Sequence, residues 1–385
     1  MNNKITIFDT TLRDGDQAPE CRFSRKGKLV MARQLINLGV DVIEAGYAAS
    51  SDNEHDIIKE IAERFGTKEG PVICSLCRTT ENDILQAIDA VKPAYHNRIH
   101  TFIATSDIHI KDKFRKDRAW VLETTDKMVR FARENMNKGE IEFCCEDFGR
   151  TSPDFAVNVC ETALKAGASI INLADTTGYF LPEECKKNVG YVIHSLNNRG
   201  YFPIFSVHNH NDLGLATSNT IAGIQAGAKQ VHVTVNGIGE RAGNTALEEV
   251  VMSMNTKSIG ECNINTPLIK ITSNLCSRCI GWYPAKNKPI VGKNAFAHEA
   301  GIHAASILRN PETYQIINPD SVGCKIEIVI GARSGSGSLN WKYQQLGLFF
   351  DDSALKMIYK DFKKFCDNHR YVRDSDLLDL ASKYK

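Results

Sequence analysis

The chain has 385 residues, 42% of them hydrophobic, and its 47 Lys and Arg residues against 46 Asp and Glu residues leave a formal net charge of +1. This balance gives no indication of nucleic acid as a partner, and no apolar run approaches the length of a membrane span. Twelve cysteines in a chain of this length are typical of reduced thiols, so we expect a cytoplasmic protein.

From residue 4 to about residue 258, short β-branched runs alternate with longer amphipathic stretches. The predicted strands are 5–10, 41–46, 71–76, 98–105, 140–145, 169–175, 203–210 and 229–235. The predicted helices are 25–38, 53–63, 81–91, 118–135, 153–166, 182–197, 213–226 and 245–254. This alternation predicts an α/β protein, a (β/α)8 TIM barrel at 1–258, for which about 250 residues is typical. An open doubly wound sheet is the alternative, but FDTTLRDG is not its usual glycine-rich turn.

The remainder of the chain has a different character and predicts a small, mostly helical C-terminal appendage. We divide it into a linker and first subdomain at 259–322 and a small helical second subdomain at 323–385. Helices are predicted at 267–279, 353–366 and 374–382, and SGSGS at 334–338 is interpreted as a loop or helix cap.

Two CxxC spacings, Cys74/Cys77 and Cys276/Cys279, raise the question of a structural zinc site. The first pair lies on a strand-like run and the second on a helix-like run, rather than in turn-rich knuckles. Packing of the thiols in the core is therefore the preferred interpretation.

The segment SVHNHNDLG places His208 and His210 two residues apart at the end of the seventh predicted strand. Residues i and i+2 of a strand point to the same face, so the two imidazoles can converge on a metal ion. Taken alone, the motif favours a pair of histidines on a solvated strand end over a metal site. However, Asp14 follows strand 1 and Asn244 follows strand 8, and barrel closure makes these strands neighbours. The sequence therefore predicts an open metal site.

Other polar residues also fall at predicted strand ends, where a TIM barrel assembles its active site. These are Arg13, Gln17, Glu44, His100, Thr105, Glu146, Asp147, Asn172 and Thr176. Purely structural alternatives remain open for several of them. Arg13 and Asp14 could form a salt bridge, Glu146 and Asp147 could cap a helix, and the glycines at 237, 239 and 243 could serve tight turns.

Long motifs spread over most of the chain resemble the 2-isopropylmalate synthase family. In order, they are DTTLRDGDQAP, EAGYAASS, HTFIATSDIH, CEDFGRT, NLADTTGY, HNHNDLGLA, NGIGERAGNTALEEVV, VGKNAFAHEAGIH and GARSGSGSLNWKYQQLG. The resemblance implies an acyltransferase of the metal-dependent Claisen-condensing barrels. Its expected reaction condenses acetyl-CoA with 3-methyl-2-oxobutanoate and hydrolyses the thioester, giving 2-isopropylmalate and CoA in leucine biosynthesis.

The resemblance also implies roles for individual residues. The metal would be held by Asp14, His208, His210 and Asn244, with Mn²⁺ expected and Mg²⁺, Co²⁺ or Zn²⁺ as alternatives. The 2-oxo acid pocket would be lined by His100, Cys144, Asn172 and Thr176. Arg13 would stabilise charge on the keto oxygen. Removal of the acetyl proton falls to Glu146, His303 or Tyr314, and which of them acts stays open.

In the resembling family the appendage of one subunit reaches over the partner's barrel, which implies a homodimer. Read without the resemblance, His303 is a structural residue beside Ala304 and Ala305 on an alanine-rich helix. The chain also ends before the C-terminal leucine-regulatory domain of many relatives. Either the protein lacks that inhibition or the chain is a piece of a longer protein.

The sequence departs from the family pattern at Cys144, Ala174 and the segment 304–306. These departures leave open which 2-oxo acid is the substrate. Homocitrate, citramalate or another 2-alkylmalate synthase is therefore the near alternative. A hydroxyacyl-CoA lyase is a further one, although NGIGERAGN lacks the cysteine that those lyases place in this loop. A barrel that binds its ligand without catalysis is the non-enzyme alternative.

Overall fold

Eight parallel strands close into a barrel in the computed structural model, which describes residues 3–384. The strands are β1 (Thr6–Asp9), β2 (Val42–Tyr47), β3 (Val72–Arg78), β4 (Asn97–Ala104), β5 (Glu140–Glu146), β6 (Ile170–Asp175), β7 (Ile204–Asn209) and β8 (Gln230–Val233). Each strand pairs with its neighbours in chain order, and β1 also pairs with β8. The predicted (β/α)8 TIM barrel is confirmed.

Helices follow the strands, as the amphipathic runs predict. They are α1 (Asp14–Gln17), α2 (Arg25–Leu38), α3 (Asp52–Phe65), α4 (Glu81–Val91), α5 (Arg118–Asn135), α6 (Pro153–Ala166), α7 (Pro182–Asn198), α8 (Ala216–Ala226) and α9 (Leu247–Lys257). Hydroxyl side chains set several starts. Ser24, for example, accepts a hydrogen bond from the Gly27 amide at 3.1 Å and caps α2. The four-residue α1, in the loop after β1, was not predicted.

A polar layer fills the barrel towards the amino ends of its strands, where aliphatic side chains are usual. Arg98 Nη1 donates to Glu142 Oε2 at 2.8 Å and to Gln230 Oε1 at 2.7 Å. Glu142 Oε1 lies 2.7 Å from His232 Nε2, and the His232 ring stacks on Phe8 with centroids 3.7 Å apart. All five side chains are buried, so each charge in this layer depends on its partners.

The chain divides into two compact units, Met1–Pro284 and Ala285–Lys385. A further helix, α10 (Ile269–Ile280), belongs to the first unit and packs on α2, where Gln34 Nε2 donates to Thr272 Oγ1 at 2.8 Å. This division falls after Pro284 because α10 is part of the barrel unit. The finer subdivision at residues 258 and 322 stays a prediction.

The second unit contains a two-stranded parallel sheet and four helices, with its own core. The elements are β9 (Ala297–His298), α11 (Gly301–Arg309), β10 (Glu327–Ile328), α12 (Ser336–Gln345), α13 (Asp352–Asn368) and α14 (Asp374–Ser382). Its core includes Leu339, Tyr343, Ile358 and Phe362. The segment 334–338 supplies Gly335 as the N-cap residue directly before α12, which agrees with the helix-cap interpretation, and its last three residues lie in the first turn of that helix. The small sheet was not predicted.

The cysteines of the two CxxC pairs are free thiols. Cys74 and Cys276 are fully buried, and no cysteine of residues 3–384 belongs to a group that could hold a metal ion. This agrees with core packing. Within the same residues, no helix is long and apolar enough to cross a membrane.

The polar layer makes a prediction about stability. Replacing Arg98 by Met should lower the free energy of unfolding by about 3 kcal/mol, because Glu142 stays buried without its cation. Urea unfolding followed by far-ultraviolet circular dichroism measures the loss. The matched control is Lys127→Met, which removes an exposed lysine 3.5 Å from Glu81 and should change stability by less than about 1 kcal/mol. Equal losses in both variants would contradict the assignment.

Candidate metal and substrate site

The loop after β1 brings an arginine and an aspartate to the carboxyl end of the barrel. The amides of Arg13 and Asp14 donate to the Thr10 carbonyl at 3.1 and 2.9 Å, which fixes the turn. Arg13 Nη1 then reaches Asp14 Oδ2 at 2.6 Å, and both side chains are buried. The salt bridge that the sequence left open therefore exists.

His208 is the penultimate residue of β7 and His210 directly follows the strand, and both imidazoles face Asp14. Their Nε2 atoms lie 3.8 and 3.9 Å from Asp14 Oδ2. These distances are too long for hydrogen bonds. One ligand atom from each of the three residues lies within 4.8 Å of the others. The predicted convergence of the HNH pair on one point is therefore present in the structure.

Asn244 lies beside this trio and is held by the backbone and by Asp14. It forms an isolated antiparallel bridge with His210, and its Nδ2 donates to Asp14 Oδ1 at 2.7 Å. Its Oδ1 is buried with no hydrogen-bond partner among residues 3–384. A Cβ at Gly239 would lie 2.0 Å from Asn244 Nδ2, so only glycine allows this close approach.

The donor set fits a divalent metal. Burial lowers the pKa of both imidazoles, which keeps them neutral with free lone pairs. Burial alone would raise the pKa of Asp14, but the Arg13 guanidinium and the hydrogen bond from Asn244 hold it well below its usual range. An ionised carboxylate, two neutral imidazoles and an unpartnered amide oxygen together suit Mn²⁺ and related ions.

Glu44 organises the second half of the site, a role that sequence reasoning missed. Its Oε2 accepts from Arg13 Nε at 2.6 Å and from Thr10 Oγ1 at 2.6 Å, and its Oε1 lies 2.7 Å from His100 Nδ1. Glu44 is fully buried, and Arg13 and His100 lower its pKa to about 2 despite the opposing effect of burial. The sequence showed only that Glu44 lies near the end of the second predicted strand. No sequence pattern indicated which residues it contacts.

A cavity of about 270 Å³ opens over this centre. Its walls combine predicted polar residues with apolar ones: Arg13, Asp14, His100, Cys144, Glu146, Asn172, Thr176, His208 and His210 with Leu76, Phe102 and Ala174. Asn172 Nδ2 donates to Cys144 Sγ at 3.4 Å. Burial raises the pKa of the Cys144 thiol well above its usual value, so the thiol is an uncharged part of the cavity wall. All four predicted pocket residues therefore line one cavity.

The two other arginines at the cavity have paired charges. Arg78 binds Asp83 through Nε and Nη2 at 2.7 and 3.0 Å, and Tyr47 Oη donates to the same carboxylate. Arg241 binds Asp212 through Nε and Nη2, each at 2.8 Å. Each of these two guanidinium groups is therefore bound to a carboxylate in a bidentate pair.

Glu146 lines the cavity but carries an ion pair with Lys113, whose Nζ lies 2.7 and 2.9 Å from its two oxygens. The neighbouring Asp147 is not among the residues that line the cavity. It pairs with Arg150 at 2.8 Å and its amide donates to Thr176 Oγ1 at 2.9 Å. Both carboxylates therefore have a cationic partner, and Glu146 is the one that borders the cavity.

The remaining two predicted residues, His303 and Tyr314, lie in the second unit. His303 is on α11, and its ring centroid is 4.2 Å from that of Tyr314. Tyr314 is 48% exposed. The structure thus brings these two rings together, and their relation to the barrel residues stays a prediction.

Comparison with known proteins yields two family matches and many relatives. The family described as HMGL-like matches residues 4–275, and the one described as homocitrate synthase post-HMGL domain-like matches residues 290–370. The 2-isopropylmalate synthase of Aquifex aeolicus is 45% identical over 98% of this chain and 72% of its own length. That of Campylobacter concisus is 43% identical over 99% of this chain and 75% of its own.

Solved structures share the fold at low sequence identity. The hydroxymethylglutaryl-CoA lyase of Pseudomonas aeruginosa superposes with a TM-score of 0.62, is 18% identical, and the match covers 73% of this chain and 95% of that one. The carboxyl transferase domain of Rhizobium etli pyruvate carboxylase with pyruvate gives 0.56 at 16% identity, covering 81% and 55%. At such identities the likeness shows the barrel alone.

The site geometry predicts metal binding that depends on His208. Replacing His208 by Ala should raise the Mn²⁺ dissociation constant by about 100-fold, because it removes an imidazole ligand. Titration calorimetry of the metal-free protein with MnCl₂ measures it. The matched control, His194→Ala, changes an exposed histidine of α7 and should leave the constant unchanged. Equal Mn²⁺ affinities in the wild type and His208→Ala would refute the site.

Proposed function

The chain belongs to the 2-isopropylmalate synthase family of HMGL-like proteins, and on this premise we propose that it condenses acetyl-CoA with 3-methyl-2-oxobutanoate. Hydrolysis of the thioester then gives 2-isopropylmalate and CoA, a step of leucine biosynthesis. The observation that carries the proposal is the Asp14, His208 and His210 trio at the floor of a partly apolar cavity.

We propose that the metal is held by Asp14, His208, His210 and Asn244, and that it is Mn²⁺. When bound, a divalent ion supplies Lewis acidity that polarises the ketone of a 2-oxo acid and orients it. The neutral imidazoles and the ionised Asp14 support this role.

Arg13 is proposed to stabilise the negative charge that develops on the keto oxygen. Its Nε is held by Glu44 and its Nη1 by Asp14, so Nη2 is the nitrogen left to donate to the substrate. Glu44 also holds His100 through Nδ1, and His100 Nε2 is buried with no partner among residues 3–384. A donor set prepared in this way needs little reorganisation during the reaction.

Condensation needs a base that removes a proton from the acetyl methyl group. We propose Glu146, His303 and Tyr314 as the residues of this step. The methyl carbon then bonds to the keto carbon, and water cleaves the thioester to release a carboxylate and the CoA thiol. His303 and Tyr314 are proposed to act from a partner subunit, which makes the proposed active form a homodimer. The proposed location of this homodimer is the cytoplasm.

The cavity supports a 2-oxo acid with an aliphatic side chain. Leu76, Phe102 and Ala174 provide apolar wall, while Asn172 and Thr176 provide polar groups. A second carboxylate, as in 2-oxoglutarate, would lack an unpaired cation, because Arg78 and Arg241 are bound to Asp83 and Asp212. This argues against a homocitrate synthase, despite the matched second-unit family.

Substrate choice is the direct test. Release of free CoA should be fastest by kcat/KM with 3-methyl-2-oxobutanoate, and at least about 10-fold slower with pyruvate, because each missing methylene weakens binding in an apolar pocket. We expect 2-oxoglutarate to be the poorest of the three. A thiol-reactive dye follows CoA release. A higher kcat/KM for either other acid would assign the chain to citramalate or homocitrate synthesis instead.

A second test addresses Glu44. Glu44→Gln should lower kcat/KM for the 2-oxo acid by about 100-fold, because Arg13 and His100 lose the carboxylate that aims them. Steady-state CoA release measures the change. Glu161→Gln, which removes a charge from the outer face of α6 near Lys165, is the control and should keep full activity. Activity of Glu44→Gln near the wild-type level would rule out this role.

A further inference from the structure

A buried lysine outside the cavity holds the loop that carries Arg13 and Asp14. Lys28 lies on α2 and its side chain is 1% exposed. Its Nζ donates to the Leu12 carbonyl at 2.9 Å and lies 3.0 Å from Asp16 Oδ2. Leu12 directly precedes Arg13, and Asp16 follows Asp14 by two residues. The ammonium group therefore binds the loop on both sides of Asp14, the proposed metal ligand.

The third contact of Lys28 ties this loop to the next strand and helix. Nζ also donates to Glu54 Oε1 on α3, so three acceptors match its three N–H groups. A Cβ at Gly46 would lie 2.0 Å from the same Glu54 oxygen. Glycine at this position of β2 is what allows the Glu54 carboxylate to approach so closely.

These contacts fix the position of the loop relative to α2 and α3. An ammonium group without solvent is unfavourable unless its hydrogen bonds are satisfied. A methionine would pack in the same space without that cost. The loop itself has little regular structure, since α1 spans only four residues.

We propose that Lys28 is a positioning residue for the metal site, acting through the Leu12 carbonyl and Asp16 on Asp14. This inference rests on the function proposed above. Outer contacts that orient metal ligands commonly change metal affinity by about 10–100-fold when removed. Lys28 makes no contact with the metal ligands' own side chains, so its effect is transmitted by the backbone of the loop.

The test compares Mn²⁺ binding with stability in the full chain. Lys28→Met should raise the Mn²⁺ dissociation constant by about 10-fold or more, measured from the electron paramagnetic resonance signal of free Mn²⁺. The KM for the 2-oxo acid should rise as well, because Arg13 shares the loop. Met31→Ala is the matched control: it is a fully buried residue of the same helix, and the cavity it creates destabilises the fold. It should leave Mn²⁺ affinity within about twofold of wild type.

Each outcome of this test either supports or overturns the proposed role of Lys28. A folded Lys28→Met protein that keeps wild-type Mn²⁺ affinity overturns the proposal, as does an equal loss of affinity in Met31→Ala. If Lys28→Met does not fold, Glu54→Gln takes its place and should weaken Mn²⁺ binding in the same direction. Unchanged affinity in that variant also overturns the proposal. His208→Ala, measured in parallel, distinguishes failure of the proposed metal site from failure of the proposed role of Lys28. If His208→Ala binds Mn²⁺ with wild-type affinity, the proposed metal site is wrong.

Discussion

One guanidinium group, that of Arg13, holds together the two carboxylates on which the site depends. Its Nη1 binds Asp14 and its Nε binds Glu44, both at 2.6 Å and both out of solvent. Without this cation, Asp14 and Glu44 would be two buried anions, and burial would favour their protonated forms. With it, Asp14 stays ionised, as its proposed role of metal ligand requires, and Glu44 stays ionised as the acceptor that orients His100.

The same dependence continues down the barrel interior. His208 packs edge-on against His232 with ring centroids 5.4 Å apart. His232 is held by Glu142, which in turn accepts from Arg98 in the polar layer. A floor of aliphatic side chains would be easier to bury, but it would offer no directional contact to orient the rings above it. In this barrel the interior layer is therefore part of the site's support as well as part of the core.

Much of this arrangement could be predicted from local patterns, and the rest could not. Period and spacing located the strands and helices, and the i, i+2 rule placed His208 and His210 on one face. The role of Glu44 was missed because its partners Arg13 and His100 are 31 and 56 residues away. The burial of Lys28 was not predicted, since no local pattern shows that a charged side chain of a helix is buried. The sheet of β9 and β10 was missed because two-residue strands carry no periodicity.

Long-range pairing also explains why the candidate metal site and the closed barrel form together. Asp14 and Asn244 are 230 residues apart, yet they share a hydrogen bond of 2.7 Å. They become neighbours only when β1 pairs with β8, through the register that sets Thr6 beside Gln230 and Asp9 beside Val233. An open barrel would leave Asp14 and its arginine on one edge and the two histidines on the other. Closure thus creates the donor set, and an ion bound by this set would favour the closed form over the open one, in which the donors lie apart.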